Sequence, residues 1–112
     1  MGGRTKSKKG IDNQMDNMIG KYCVIRGRSS GVFAGTVKEI DGDHVLAADV
    51  RRIWYWDGAA SISQLAVDGT AAPKDCKFTV TVSEALILDV IEVIPCTEKA
   101  EQSIKAVAEW KM

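Results

Sequence analysis

Arg51-Arg52-Ile53-Trp54-Tyr55-Trp56 sets two guanidinium groups and three aromatic rings in one short run, and the small-residue turn Asp57-Gly58-Ala59-Ala60-Ser61 follows at once. If the run is a strand, side chains alternate between faces, so Arg52, Trp54 and Trp56 share one side and Arg51, Ile53 and Tyr55 the other. One face then reads cation, ring, ring. Indoles stack on nucleobases, and a guanidinium fork holds two phosphate oxygens at once, so the chemistry is that of a nucleotide-like ligand. Aromatics bury large apolar areas wherever they can, and the plainer reading is that these rings are core. Three in a row cannot all enter one core, however, so at least one lies at a surface, a subunit interface or a pocket. Of the two arginines, Arg52 is the ligand candidate and Arg51 stays open.

Two neighbouring segments could complete such a site. Gly58-Ala59-Ala60-Ser61-Ile62-Ser63 combines small side chains with the start of a helix, whose free amides attract phosphate with help from the Ser61 and Ser63 hydroxyls. A capped strand-to-helix connection is the commoner meaning of such a turn. Its position directly after the ring-and-arginine strand favours the ligand reading. Arg26-Gly27-Arg28-Ser29-Ser30-Gly31 is a basic Gly/Ser loop able to form an anion-binding concavity, although most basic hairpin loops are only solvated. Arg26 and Arg28 join the candidate list on that ground.

Catalysis has little material. His44 is the single histidine and sits beside Asp41 and Asp43; the set resembles a metal site less than an exposed hairpin tip. No nucleophile elbow, phosphate-binding Walker loop, dinucleotide fingerprint or zinc-protease motif is present. A non-catalytic binder without cofactor or metal is expected.

Composition narrows the class further. The chain has 112 residues, 46% hydrophobic and 27% charged, which fits one domain with a modest core. Fifteen basic and fifteen acidic residues cancel, so no global field draws in a nucleic acid or an anionic membrane. The longest apolar run, Ala85-Leu86-Ile87-Leu88, stops at Asp89, far short of the roughly 20 residues that span a bilayer. The first residues show neither a signal-peptide core nor a myristoylation pattern, and a cytoplasmic protein is expected. Cys23, Cys76 and Cys96 are too few and too scattered for a disulfide framework or a zinc knuckle, and read as small core or edge residues.

The elements that must position these groups can be placed in order. Residues 1–18 are polar, with Arg4, Lys6, Lys8 and Lys9 among Gly and Ser, and read as an untethered basic arm. Residues 19–112 form the single domain. Tyr22 to Arg26 is β-prone, Val32 to Ile40 is a second strand, and Asp41-Gly42 is a hairpin turn into Asp43 to Ala48, with the Arg-Trp run as the next strand or an extension of this one. Ser61 caps a short helix with Ile62, Leu65 and Ala66 on one side and Gly69 as its stop. Cys76 to Val82 alternates like a half-exposed strand, and Leu86 to Ile94 reads as a mostly buried one ended by Pro95. Thr97 caps a last helix, with Glu98 at its positive dipole end and Ala100, Ile104 and Val107 as its apolar stripe. The expected fold is α+β, a twisted antiparallel meander with a short central and a C-terminal helix.

Several stretches carry a family resemblance: Ile25-Arg26 with Ser29 to Thr36, the Arg51 to Trp56 run with Gly58 to Ala66, Cys76-Lys77-Phe78, and Ile91 to Thr97. Over residues 20 to 110 the chain resembles small phage and prophage proteins and, through them, the first-described family of Thoeris anti-defence proteins. That resemblance implies a sponge that binds cyclic ADP-ribose isomers made by bacterial TIR-domain NADases, with cyclic di- or trinucleotides held by some members at separate sites. It implies homo-oligomers built from dimers, pockets where subunits meet, action in the cytoplasm of an infected bacterial host, and interference with Thoeris and CBASS signalling. The ligand residues it points to are Arg26, Arg52, Trp54 and Trp56; Gly27-Arg28 departs from the Thr-Tyr type of pair in the family. Two rivals from other classes are a small nucleic-acid-binding module and a phage assembly protein whose aromatic face is only a subunit contact.

Overall fold

The computed structural model describes residues 17–112; the basic arm expected over residues 1–18 therefore lies almost wholly outside the described residues. Its strands are β1 (Tyr22–Gly27), β2 (Val32–Asp41), β3 (His44–Tyr55), β4 (Lys77–Phe78), β5 (Val82–Ile87) and β6 (Val90–Pro95), with helices α1 (Ile62–Asp68) and α2 (Glu98–Ala106) and a 3₁₀ turn at Pro73–Asp75. All the named strands pair antiparallel in the order β4-β3-β2-β1-β6, while β5 also lies against β3. The fold is α+β, a twisted antiparallel sheet with one short central helix and one C-terminal helix.

The turn between β2 and β3 follows from Asp41-Gly42, where Gly42 takes a φ of 62° that a side chain would disfavour. The Arg-Trp run then proves to be the far half of the return strand. One residue interrupts β3. Asp49 has a φ of 52°, and the ladder passes from Thr36↔Ala48 to Ala34↔Arg51, so Asp49 and Val50 stand opposite Gly35 alone. Such a bulge bends a strand and reverses its alternation. Before it, Val45 and Ala47 face a core cluster with Cys23, Ile25, Phe33, Val37, Val50 and Ile87. Beyond it, Ile53 enters the other cluster, with Tyr22, Val24, Leu65, Phe78, Ile104 and Val107 beneath the helices. Arg52 and Trp54 are left on the Phe33 side, where β3 runs between β2 and β4.

The bend also splits one edge of β3 between two partners. Its first half pairs with β5 from Val45↔Ile87 to Val50↔Val82, its second with β4 at Ile53↔Phe78 and Tyr55↔Lys77. Cys76 to Val82 is therefore not the continuous strand expected. Residues 79–81 leave the ladder where β3 changes partner. Leu86 to Ile94 is likewise not one buried strand but two: the chain turns at Leu88-Asp89 from β5, which pairs with β3, to β6, which pairs with β1, and Leu86, Leu88 and Ile91 are 58%, 55% and 44% exposed. β6 is only half-buried, with Val93 against one core cluster and Ile94 against the other.

Capping sets both helices. Ser61 Oγ accepts from the Gln64 amide and Gly69 ends α1; Thr97 Oγ accepts from Ala100 and starts α2, which buries Ala100 and Ile104. The helices dock through Thr97, whose hydroxyl donates to the Val67 carbonyl, and Ser103, whose Oγ accepts from the Thr70 amide. Gly58 makes the chain crossing before α1 possible, because a Cβ there would stand 2.4 Å from the Ala72 nitrogen.

Candidate functional site

Beyond the bulge, alternation holds as far as Trp54, with Arg51 and Ile53 buried and Arg52 and Trp54 exposed; Tyr55, expected on the Arg51 and Ile53 side, is 51% exposed, and the half-buried Trp56 follows the end of β3. Arg52 lays its guanidinium over the Phe33 ring, 4.4 Å from the centroid, and donates from Nη1 to the Ser30 carbonyl. Trp56 packs beside the helix-side cluster and donates from Nε1 to the Ala59 carbonyl at 3.2 Å. Between them opens a groove of about 290 Å³ lined by Ser29, Ser30, Gly31, Arg52, Trp54 and Trp56. The cation, both indoles and the Gly/Ser loop thus meet in one place. Arg52 reaches further, since it also lines a 530 Å³ groove with Phe33, Leu86, Leu88 and Asp89, and a 260 Å³ one with Val50, Thr79 and Val80.

The loop between β1 and β2 is not an empty anion concavity. Asp89, at the β5–β6 turn, accepts from the Ser29 amide at 2.6 Å, the Ser30 amide at 3.0 Å and the Ser30 hydroxyl at 2.5 Å, and its carbonyl accepts from the Arg28 amide. The Ser30 hydroxyl, then the Ser29 amide, hold the Asp89 carboxyl below the usual aspartate range. An internal carboxylate fills the place expected for a ligand anion. Arg26 is turned instead to Glu92, 3.6 Å away across β6. Arg28 is exposed on the loop, and neither lines the Trp54–Trp56 groove.

The turn before α1 is also satisfied from within. Ser61 Oγ caps the Gln64 amide, the Gln64 side chain takes the Ala60 amide at 2.7 Å, and Asp57 takes that of Gly58. Ser61 and the exposed Ser63 do not line the groove. Of the groups offered for phosphate, the Ser61 hydroxyl and the Ala60 amide are thus engaged from within, by the cap and by the Gln64 side chain.

Arg51, left open by the sequence, is a structural cation. It is 3% exposed and donates from Nε to the Thr79 carbonyl, from Nη1 to those of Ile104 and Val107, and from Nη2 to that of Phe78. Burial draws its pKa below the usual guanidinium value. Sequence reasoning missed Phe33, Asp89, Lys77 and Trp110. Trp110 stacks on Trp54 with ring centroids 6.0 Å apart and planes 15° from parallel. The signal for it was faint, a lone tryptophan in a polar tail.

Burial pushes the Cys23 thiol up to about 11 and that of Cys96 up to about 12, and raises the Tyr22 hydroxyl further still. His44 lies at the β2–β3 turn, 3.4 Å from Asp43, and no three His, Cys, Asp or Glu among the described residues gather as a metal site. No helix among the described residues is long and apolar enough to cross a membrane.

The bent sheet is similar to that of Sm proteins. The P. aerophilum SmAP1 heptamer matches at 16% identity over 78% of this chain and 93% of its own, with a TM-score of 0.51. A heptameric archaeal Sm protein, described with implications for the eukaryotic snRNP core, matches at 16% identity over 76% and 98%, with a TM-score of 0.50. No curated protein matches the chain. Fold and groove together define a small α+β domain, its sheet similar to that of Sm proteins, with a cation-and-indole groove beside the β1–β2 loop. Residues 20–104 match a family described as a domain of unknown function, DUF6948, and the chain belongs to that family.

Proposed function

We propose that this protein is a non-catalytic sponge for a cyclic ADP-ribose-type nucleotide, removing the messenger before a host immune effector responds. The observation that carries this reading is the convergence of Arg52, Trp54 and Trp56 on one groove. A cyclic ADP-ribose isomer comprises an adenine, two riboses and a pyrophosphate, so stacking surfaces and charge-assisted donors are its main requirements. A sponge needs no nucleophile. To empty a sub-micromolar pool it needs a nanomolar dissociation constant, about −12 kcal/mol. Cyclic di- and trinucleotides form a second ligand class within the same chemistry, and Thoeris and CBASS the corresponding defences in the infected cytoplasm.

The assembly belongs to the same proposal. Val82, Leu86, Leu88 and Ile91 leave apolar surface on β5, β6 and the turn between them, and outer strands of that character are commonly covered by another copy. A homo-oligomer built from dimers follows. Light scattering coupled to size exclusion checks it, and a monomer at micromolar concentration rejects it.

The ligand test uses purified protein incubated with the products of an activated TIR-domain enzyme, freed of unbound material, heat-denatured and analysed by mass spectrometry. Intact cyclic nucleotide is expected in the released fraction. A converted product means an enzyme, and nothing released favours an assembly role. The Trp54–Trp110 pair with Lys77 beside it favours one second reading, a single-stranded nucleic-acid module, which would show binding that falls steeply with salt.

A further inference from the structure

Trp110 lies outside the segment that matches the family, yet it stands against a ring of the groove. Arg51 prepares its place. By donating to the carbonyls of Ile104 and Val107, the buried guanidinium ties the end of α2 to the Phe78 and Thr79 carbonyls at the end of β4. The residues after α2 then run beside β4, where Phe78 and Glu109 form a parallel bridge and the Trp110 amide donates to the Phe78 carbonyl at 2.9 Å. That register sets the Trp110 indole on Trp54. Lys77, next to Phe78 on β4, holds its ammonium 5.5 Å from the centroid of the Trp110 ring.

Trp54 is 63% exposed. An indole with that much surface in water samples several rotamers unless something packs on it, and a ring that must be ordered on binding weakens the complex. Of its two ring faces, one is covered by a stacked partner. We infer that Trp110 is a positioning residue for the groove: it holds the Trp54 indole in the orientation that receives a planar base. The inference rests on the nucleotide reading and deepens it, giving the base end of the ligand to Trp54 and the phosphate end to Arg52. The C-terminal tail thereby becomes part of the binding apparatus.

The test titrates one probe, a cyclic ADP-ribose isomer purified from an activated TIR-domain enzyme, into the full chain and into R52A, W54A, W110A, W110F and the W54A/W110A double variant. W110A weakens binding by about fivefold to tenfold, and W110F, which keeps a stacking ring, restores it to within about twofold. In the W54A background the loss of Trp110 changes affinity by less than about twofold, because the ring it acts through is gone. In the saturated complex the adenine protons are shifted upfield by the indole, and the shift shrinks in W110A. A general loss of folding would not remove the W110A effect only where Trp54 is already absent. Unchanged affinity in W110A, or two substitutions whose effects simply add, overturns the inference. Binding that R52A abolishes and W110A leaves intact overturns the tail's role alone; a wild-type chain that takes up no probe overturns the nucleotide reading and the tail's role with it.

Discussion

Arg51 and Arg52 are adjacent, chemically identical and on the same strand, yet one is sealed beneath the helices and the other lines three grooves. Arg51 has four hydrogen bonds to main-chain carbonyls, so its donors are committed to holding β4 and α2 together. Arg52 has one such bond, to Ser30, and a face laid on Phe33. Residue type therefore says little about role here. What decides is how many donors the fold leaves uncommitted and whether water or a ligand can reach them.

The comparison breaks most visibly at Arg51. R51A removes the guanidinium shared by the buried Phe78, Ile104 and Val107 carbonyls, of which those of Phe78 and Ile104 keep the Trp110 and Val107 amides as donors, and the expected cost is about 3 kcal/mol or more, read as a shift in the urea midpoint. R51K keeps the charge but lacks the fork that reaches several carbonyls, and recovers only part of the loss. If R51A is as stable as wild type, Arg51 is not the clamp described. At Arg52 the signs should reverse: R52A lowers nucleotide affinity by about 100-fold, near 2.7 kcal/mol, with a change in stability below about 1 kcal/mol. Calorimetry and melting on the same sample check both halves.

Smaller effects sharpen the contrast. W54A should weaken nucleotide binding about tenfold while leaving the melting temperature within a few degrees, since the ring is mostly in water. The smallest concerns Asp89, whose pKa is depressed by the Ser30 hydroxyl and the Ser29 amide. A carboxylate with a lowered folded-state pKa supports the folded loop at pH above its ordinary value of 3.8 and loses that support as pH falls through the depressed value. Hydrogen exchange at the Ser29 and Ser30 amides should show protection at neutral pH and its loss only in that acidic window; D89A should remove it at every pH. Protection that persists in D89A would place the loop's support elsewhere.

What the sequence disclosed was local. Asp41-Gly42 announced the hairpin, Ser61 and Gly69 bounded α1, Thr97 capped α2, and alternation separated Arg52 from Arg51. Less legible was whatever depends on distant partners. Asp89 meets Ser29 from 60 residues away, so the filling of the Gly/Ser loop could not be read from the loop itself. Leu88-Asp89 lacks the glycine that marks most tight turns, and the apolar residues around it read as one buried strand. The bulge at Asp49 rests on a single positive φ next to Gly35, and nothing in the local pattern marks it. Trp110 gains its meaning only once Arg51 has drawn the tail beside β4.

The single bond from Arg52 to the Ser30 carbonyl carries a last consequence. Any anion that recruits this guanidinium along the same donor enters by substitution, with the Ser30 oxygen as the displaced group. The exchange gives the guanidinium a charged acceptor for a neutral one, and a charge-assisted bond is roughly twice as strong. On the nucleotide reading, a pyrophosphate arriving there would release Ser30, and with it one of the ties that fix the β1–β2 loop.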